Sequence, residues 1–76
     1  MNDKRRKQLQ KAIDFIKRAC DIIDDARYDE QESMNNMPES LQVSEKYEHM
    51  EDVCDALDKA YDYCDDVVEA LKEAIK

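Results

Sequence analysis

From Tyr47 to Ile75 the apolar residues fall on a helical seam that holds its register for about four heptads. Tyr47, Met50, Cys54, Leu57, Tyr61, Cys64, Val68, Leu71 and Ile75 are separated by alternating steps of three and four. That is the a/d spacing of a helix packed lengthwise on another helix. The first part of the chain supplies the matching element, since Leu9, Ile13, Ile16, Cys20 and Ile23 repeat in steps of four and three. Two such seams in 76 residues predict an all-α fold, an antiparallel helical hairpin forming one domain over residues 1–76. The first helix is expected over about residues 4–35, the connection over 36–43 and the second helix over about 44–75.

Local signals set these boundaries. Asp3 is a candidate N-cap for the first helix and Ser44 for the second. Asn35 or Asn36 is expected to end the first helix in the left-handed conformation that glycine usually supplies, and Pro38 prevents its continuation. Asn36 and Glu39 have capping-box spacing, so a short helical turn is expected over Pro38–Gln42. Met34, Met37, Leu41 and Val43 are the apolar residues available to close this end of the hairpin. The seam of the first helix decays there, with Arg27 and Glu30 in core positions, so the loop end should be looser than the far end.

Both helices carry more apolar surface than one contact covers. Beside the seam of the second helix run Val53, Ala60, Val67 and Ala74, and beyond them Ala56, Tyr63 and Ala70. Together these rows span roughly 160°, wider than the stripe of an ordinary surface helix. The first helix adds Ala12, Ala19 and Ala26, with Phe15 and Ile22 further round. The expectation is self-association, as a homodimer forming an antiparallel four-helix bundle or as a higher oligomer.

The chain has no glycine, which excludes the phosphate-cradling P-loop, the dinucleotide fingerprint and the EF-hand, each of which needs it. Three cysteines is an odd number. All sit on seams and none forms a C-x-x-C pair, so they read as small core residues in a reducing compartment. Taking the turn to centre near Pro38, antiparallel pairing brings Cys20 to the level of Cys54 to Leu57; free buried thiols are expected, with approach and oxidation of Cys20 and Cys54 as the alternative. Apolar residues come singly or in pairs, with no run long enough for a membrane span or signal-peptide core, and a cytoplasmic protein is expected.

Chemistry finds little purchase. His49 is the only histidine, with Cys54 on a different face and no Glu-x-x-His pair as in helical-bundle metal sites. No nucleophile stands beside it. Neither enzyme activity nor a metal or other cofactor is expected.

Charge is distributed unevenly. Residues 1–18 carry seven Lys/Arg against two Asp/Glu, whereas residues 19–76 carry five against eighteen. The basic cluster suggests nucleic acid, but a hairpin lays it beside Asp65, Asp66, Glu69 and Glu73, so neutralisation within the molecule is expected and direct nucleic-acid binding is disfavoured. The second helix carries ten acids and two bases between Glu48 and Glu73. Such density repels itself where mixed Glu–Lys pairs would stabilise the helix. It is either a solvated face or a binding surface for a basic partner, since a row of carboxylates can occupy a groove built for a nucleic-acid backbone. The contact candidates are Glu48, Glu51, Asp55, Asp58, Asp62, Asp65 and Glu69, with Tyr63 as an aromatic anchor at the edge.

The loop Asn36-Met-Pro-Glu-Ser-Leu-Gln42, followed by Ser44-Glu-Lys-Tyr-Glu-His-Met-Glu51, resembles short acidic helical proteins encoded in phages and prophages of Firmicutes-type bacteria. The likeness runs from about Asp29 to Glu69 and is specific mainly in the loop, where Ser40 replaces an expected Asn. The resemblance implies a small phage accessory protein and carries over no functional residue. Combined with the acidic stripe, it gives the expectation of a non-enzymatic inhibitor that binds a basic, nucleic-acid-handling host defence protein in the host cytoplasm. Two alternatives stand beside it. One is capture of RNA or an anionic signalling nucleotide by Lys4, Arg5, Arg6, Lys7, Lys11 and Arg18 of neighbouring subunits; the other is a structural or assembly component of the phage.

Overall fold

A computed structural model describes residues 1–76 as two long helices joined by a tight connection: α1, Asp3–Asn35, and α2, Glu45–Ile75, with a single 3-10 turn, Glu39–Leu41, between them. The helices pack antiparallel along their whole length into a rod of 59 × 14 × 13 Å. No helix is long and apolar enough to cross a membrane.

Side-chain caps start both helices. Asn2 Oδ1 accepts from Arg5 N–H at 2.9 Å, so the cap lies one residue before Asp3, which becomes the first helical residue and sits favourably at the positive end of the dipole. Ser44 Oγ accepts from Tyr47 N–H at 3.3 Å and donates to the Leu41 carbonyl at 2.6 Å, tying the cap to the preceding turn. The expected left-handed residue at the end of α1 is absent. Asn36 stays right-handed at φ −85°, and no residue in the chain has positive φ. The turn is made instead by extended Pro38 at ψ 143° followed by the 3-10 turn, which Leu41 N–H closes onto the Pro38 carbonyl at 2.9 Å.

The seam residues of both helices face one another. Ile13, Cys54 and Val68 are buried and the other apolar seam residues half-buried. Arg27 and Glu30 occupy seam positions near the loop, half-buried, as the periodicity implies. Met34 and Met37 are half-buried beside them, but Leu41 and Val43 point to solvent, Val43 at 88% exposure. The 3-10 turn satisfies its own backbone groups and swings these two side chains outward, so two apolar residues, not four, close the loop end.

Three buried residues are a small core for a chain this long. The flanking apolar rows lie partly outside it, with Ala12, Val53 and Ala60 half-buried. Phe15, Ile22 and Tyr63 are 68%, 69% and 67% exposed, and Val67 is 45% exposed.

Candidate interaction surfaces

The level of each α1 residue against α2 is fixed by several contacts. Arg6 Nε donates to the Ile75 carbonyl at 3.2 Å, and Cys64 Sγ donates to the Ile16 carbonyl at 3.6 Å. Arg27 Nη1 lies 3.5 Å from Asp58, and its guanidinium stacks 4.1 Å from the Tyr61 ring centroid. Cys20 is thereby level with Cys64, not with Cys54, which lies about 15 Å further along α2 at 1.5 Å per residue. The Cys20–Cys54 approach does not form: the two caps, Asn36 and Ser44, set the middle of the connection two residues beyond Pro38. That moves the level of Cys20 along α2 by about four residues, just over one turn, and the packing contacts carry it about one turn further, to Cys64.

Cys64 perturbs the Cys20 thiol at that level. Cys20 is pushed up to about 11, first by its hydrogen bond with Cys64, then by burial and by the negative charges of Cys64, Asp65 and Asp21. Cys54 is also raised, by burial first and then by Glu30, Asp58 and Asp55. Both stay protonated in neutral solution, the opposite of what a nucleophilic thiol requires. All three cysteines are free.

Along α2 the acids Glu48, Glu51, Asp55, Asp58, Asp62, Asp65 and Glu69 are all exposed and follow one another at helical spacing on a single side of the rod. Two are engaged. Asp58 meets Arg27, and Glu69 meets Lys72 at 3.4 Å on its own helix. The other five make no ion pair. Tyr63 lies on the opposite border of the helix, in the row with Ala56 and Ala70, and therefore belongs to the exposed apolar face more than to the acidic one.

The basic segment is not neutralised as the charge pattern implied. Lys4, Arg5, Lys7, Lys11, Lys17 and Arg18 form no ion pair, and Asp65 and Asp66 meet no cation. Glu73 is held by Lys76 at 3.1 Å. Arg6 alone reaches across, and its target is the C-terminal carbonyl of α2, where a cation suits the helix dipole, while its Nη1 contacts Asp3 at 3.2 Å. Lys4, Lys11 and Arg18 stand on the side of α1 opposite the seam, and Asp66 on the side of α2 opposite it, so these charges point away from one another.

Arg27 forms the one cross-helix ion-pair centre. It contacts Asp24 at 2.8 Å as well as Asp58, and the hydrogen bond that its Nε donates to Asp24 is the first reason its guanidinium is held above its ordinary value, with Asp24, Asp58 and Tyr61 charges adding to it against partial burial. His49 is exposed, and no group of three or more His, Cys, Asp or Glu side chains is placed to hold a metal ion. The molecule is thus an antiparallel helical hairpin with three separate exposed surfaces: acidic, basic and apolar. Comparison with family models, with curated proteins and with solved structures gave no match.

Proposed function

We propose that this chain is a small acidic interaction protein without enzymatic activity, a phage-type accessory inhibitor that binds a basic, nucleic-acid-handling host protein through the acidic side of α2. The supporting observation is the row of carboxylates on one rigid helix, five of whose seven members make no ion pair. Row and rod present regularly spaced negative charge at fixed geometry, which matches a surface built to track a phosphate backbone. The hairpin works as a self-associated four-helix bundle, because its apolar flanks exceed what two helices bury.

Affinity capture with the tagged protein, followed by mass spectrometry, identifies the partner. Reversing Glu51, Asp55 and Asp62 to Lys spares Asp58, which holds Arg27, and should abolish capture while the helical signal and the oligomer persist. Capture should also weaken as salt rises, since exposed charges are screened beyond a Debye length of about 8 Å at 0.15 M. Equal capture by the triple variant sinks the reading. A second reading has one observation in its favour: the unpaired cations Lys4, Arg5, Lys7, Lys11 and Arg18 are free to hold RNA or an anionic nucleotide. Its sign is nucleic acid or nucleotide carried through purification.

A further inference from the structure

The exposed apolar rows of the two helices lie on the same face of the hairpin. Seen from its own N-terminus, each helix carries its row on the counter-clockwise side of the seam, Phe15 and Ile22 on α1, Val67 and Tyr63 on α2. Because the helices run in opposite directions, the same rotation on each turns both rows to one side of the plane that holds their axes. Between the fixed points Arg6–Ile75 and Arg27–Asp58, Phe15 is level with Val67, Ala19 with Tyr63 and Ile22 with Ala60. At the levels of Ala19 and Ala60 the face therefore sets a large residue beside a small one.

We infer that a second copy of this chain covers this face about a two-fold axis parallel to the helices, so that α1 of each copy lies on α2 of the other. The inference deepens the self-association proposed above and rests on it. Size permits it: one face of the rod measures 59 × 14 Å between Cα extents, roughly the 800 Å² per partner of a standard interface. Shape favours it. With α1 on α2, Tyr63 of the second copy meets Ala19 and Ile22 meets Ala60, whereas a two-fold axis across the helices sets α2 on α2 and drives Tyr63 towards Tyr63 wherever Ala19 faces Ala19.

Charge chooses more sharply. Beyond the apolar row the border of α1 carries Lys11, Arg18 and then Asp25, none in an ion pair. At the same levels the border of α2 carries Glu73, Asp66 and then Lys59. Setting α1 on α2 brings Lys11 to Glu73, Arg18 to Asp66 and Asp25 to Lys59, twice over by symmetry. Setting α2 on α2 brings one acidic border against another. A shallow depression of about 330 Å³ lined by Lys11, Asp14, Phe15 and Arg18 opens on this same border. The second copy gives the basic segment the opposite charge that its own α2 does not.

Three full-length variants test the arrangement by sedimentation velocity, with circular dichroism as the check on folding. Lys11→Glu with Arg18→Glu should weaken the dimer about tenfold, as expected for losing a few rim pairs, and Asp66→Lys with Glu73→Lys should do the same. All four reversals in one chain should restore the parent's dissociation constant. If the fourfold variant is as weak as either pair, the α1-on-α2 arrangement is overturned although the dimer stands. A parent that sediments as one 9.0 kDa chain at micromolar concentration overturns self-association itself. Neither result bears on the acidic side of α2, because Asp66 and Glu73 are not among the residues tested by capture.

Discussion

The two ends of the rod are built on one pattern with different materials. At the end that holds both termini, the seams meet through Ile13 and Val68, 1% and 4% exposed, and Arg6 closes the helix end by binding the Ile75 carbonyl. Towards the loop the same seam positions on α1 hold Arg27 and Glu30, and Arg27 is kept between two half-exposed carboxylates and a tyrosine ring. Apolar burial stabilises in proportion to area, whereas an ion pair open to water contributes little. Apolar burial therefore holds the hairpin together chiefly at the terminal end, with Cys54 the one buried residue towards the loop, and the contacts of Arg6 and Arg27 at the two ends fix which residues stand level.

The comparison breaks most visibly at Val68. Val68→Asp places a charge in the driest layer and should unfold or dissociate the protein, a loss of several kcal/mol, whereas Met50→Asp at the half-buried loop end should leave a folded protein with a lower melting temperature. Thermal melts followed by circular dichroism decide it, and equal damage at both sites would erase the distinction. A smaller effect is expected at Arg27. Arg27→Met removes the ion pairs but keeps an unbranched apolar stem over Tyr61, so the melting temperature should stay near the parent's; a large drop would show that the charge centre stabilises the loop end.

The smallest effect concerns Cys20. Its folded-state value of about 11 lies above the ordinary 9.0, so the stability linked to its proton is complete below about pH 9 and is lost as pH rises through about 11. The parent should lose stability across that interval more steeply than Cys20→Ala. Parallel pH profiles for the two would mean that the thiol pair contributes nothing. Below pH 9, iodoacetamide should label Cys20 more slowly in the folded protein than in urea.

The difference between the ends also explains what could be read from the sequence. Every apolar seam residue from Leu9 to Ile23 and from Tyr47 to Ile75 turned inward, because helical spacing alone decides which side chains share a face. Ser44 could be recognised for a similar reason, since a serine before a helical run has one local task. Cys64 as the neighbour of Cys20 could not be found by centring the turn on Pro38. Counting inward from Asn36 and Ser44 pairs Cys20 with Ala60, one turn short of Cys64 but nearer to it than to Cys54. The unpaired basic segment escaped for a different reason: net charge places two segments side by side, but rotation about each helix axis decides whether their ends meet. Leu41 and Val43 were misplaced because apolar character says nothing of direction within a turn that satisfies its own backbone.

No residue of this chain occupies a positive φ, including those of the connection. The backbone consequently demands no particular side chain at any turn, and only Pro38 supplies a conformation that others adopt less readily. Substitution along the outer sides of α1 and α2 meets little resistance beyond helix propensity, worth less than about 1 kcal/mol for ordinary residues. Such a frame allows its surface chemistry to diverge one residue at a time while the hairpin beneath is inherited unchanged.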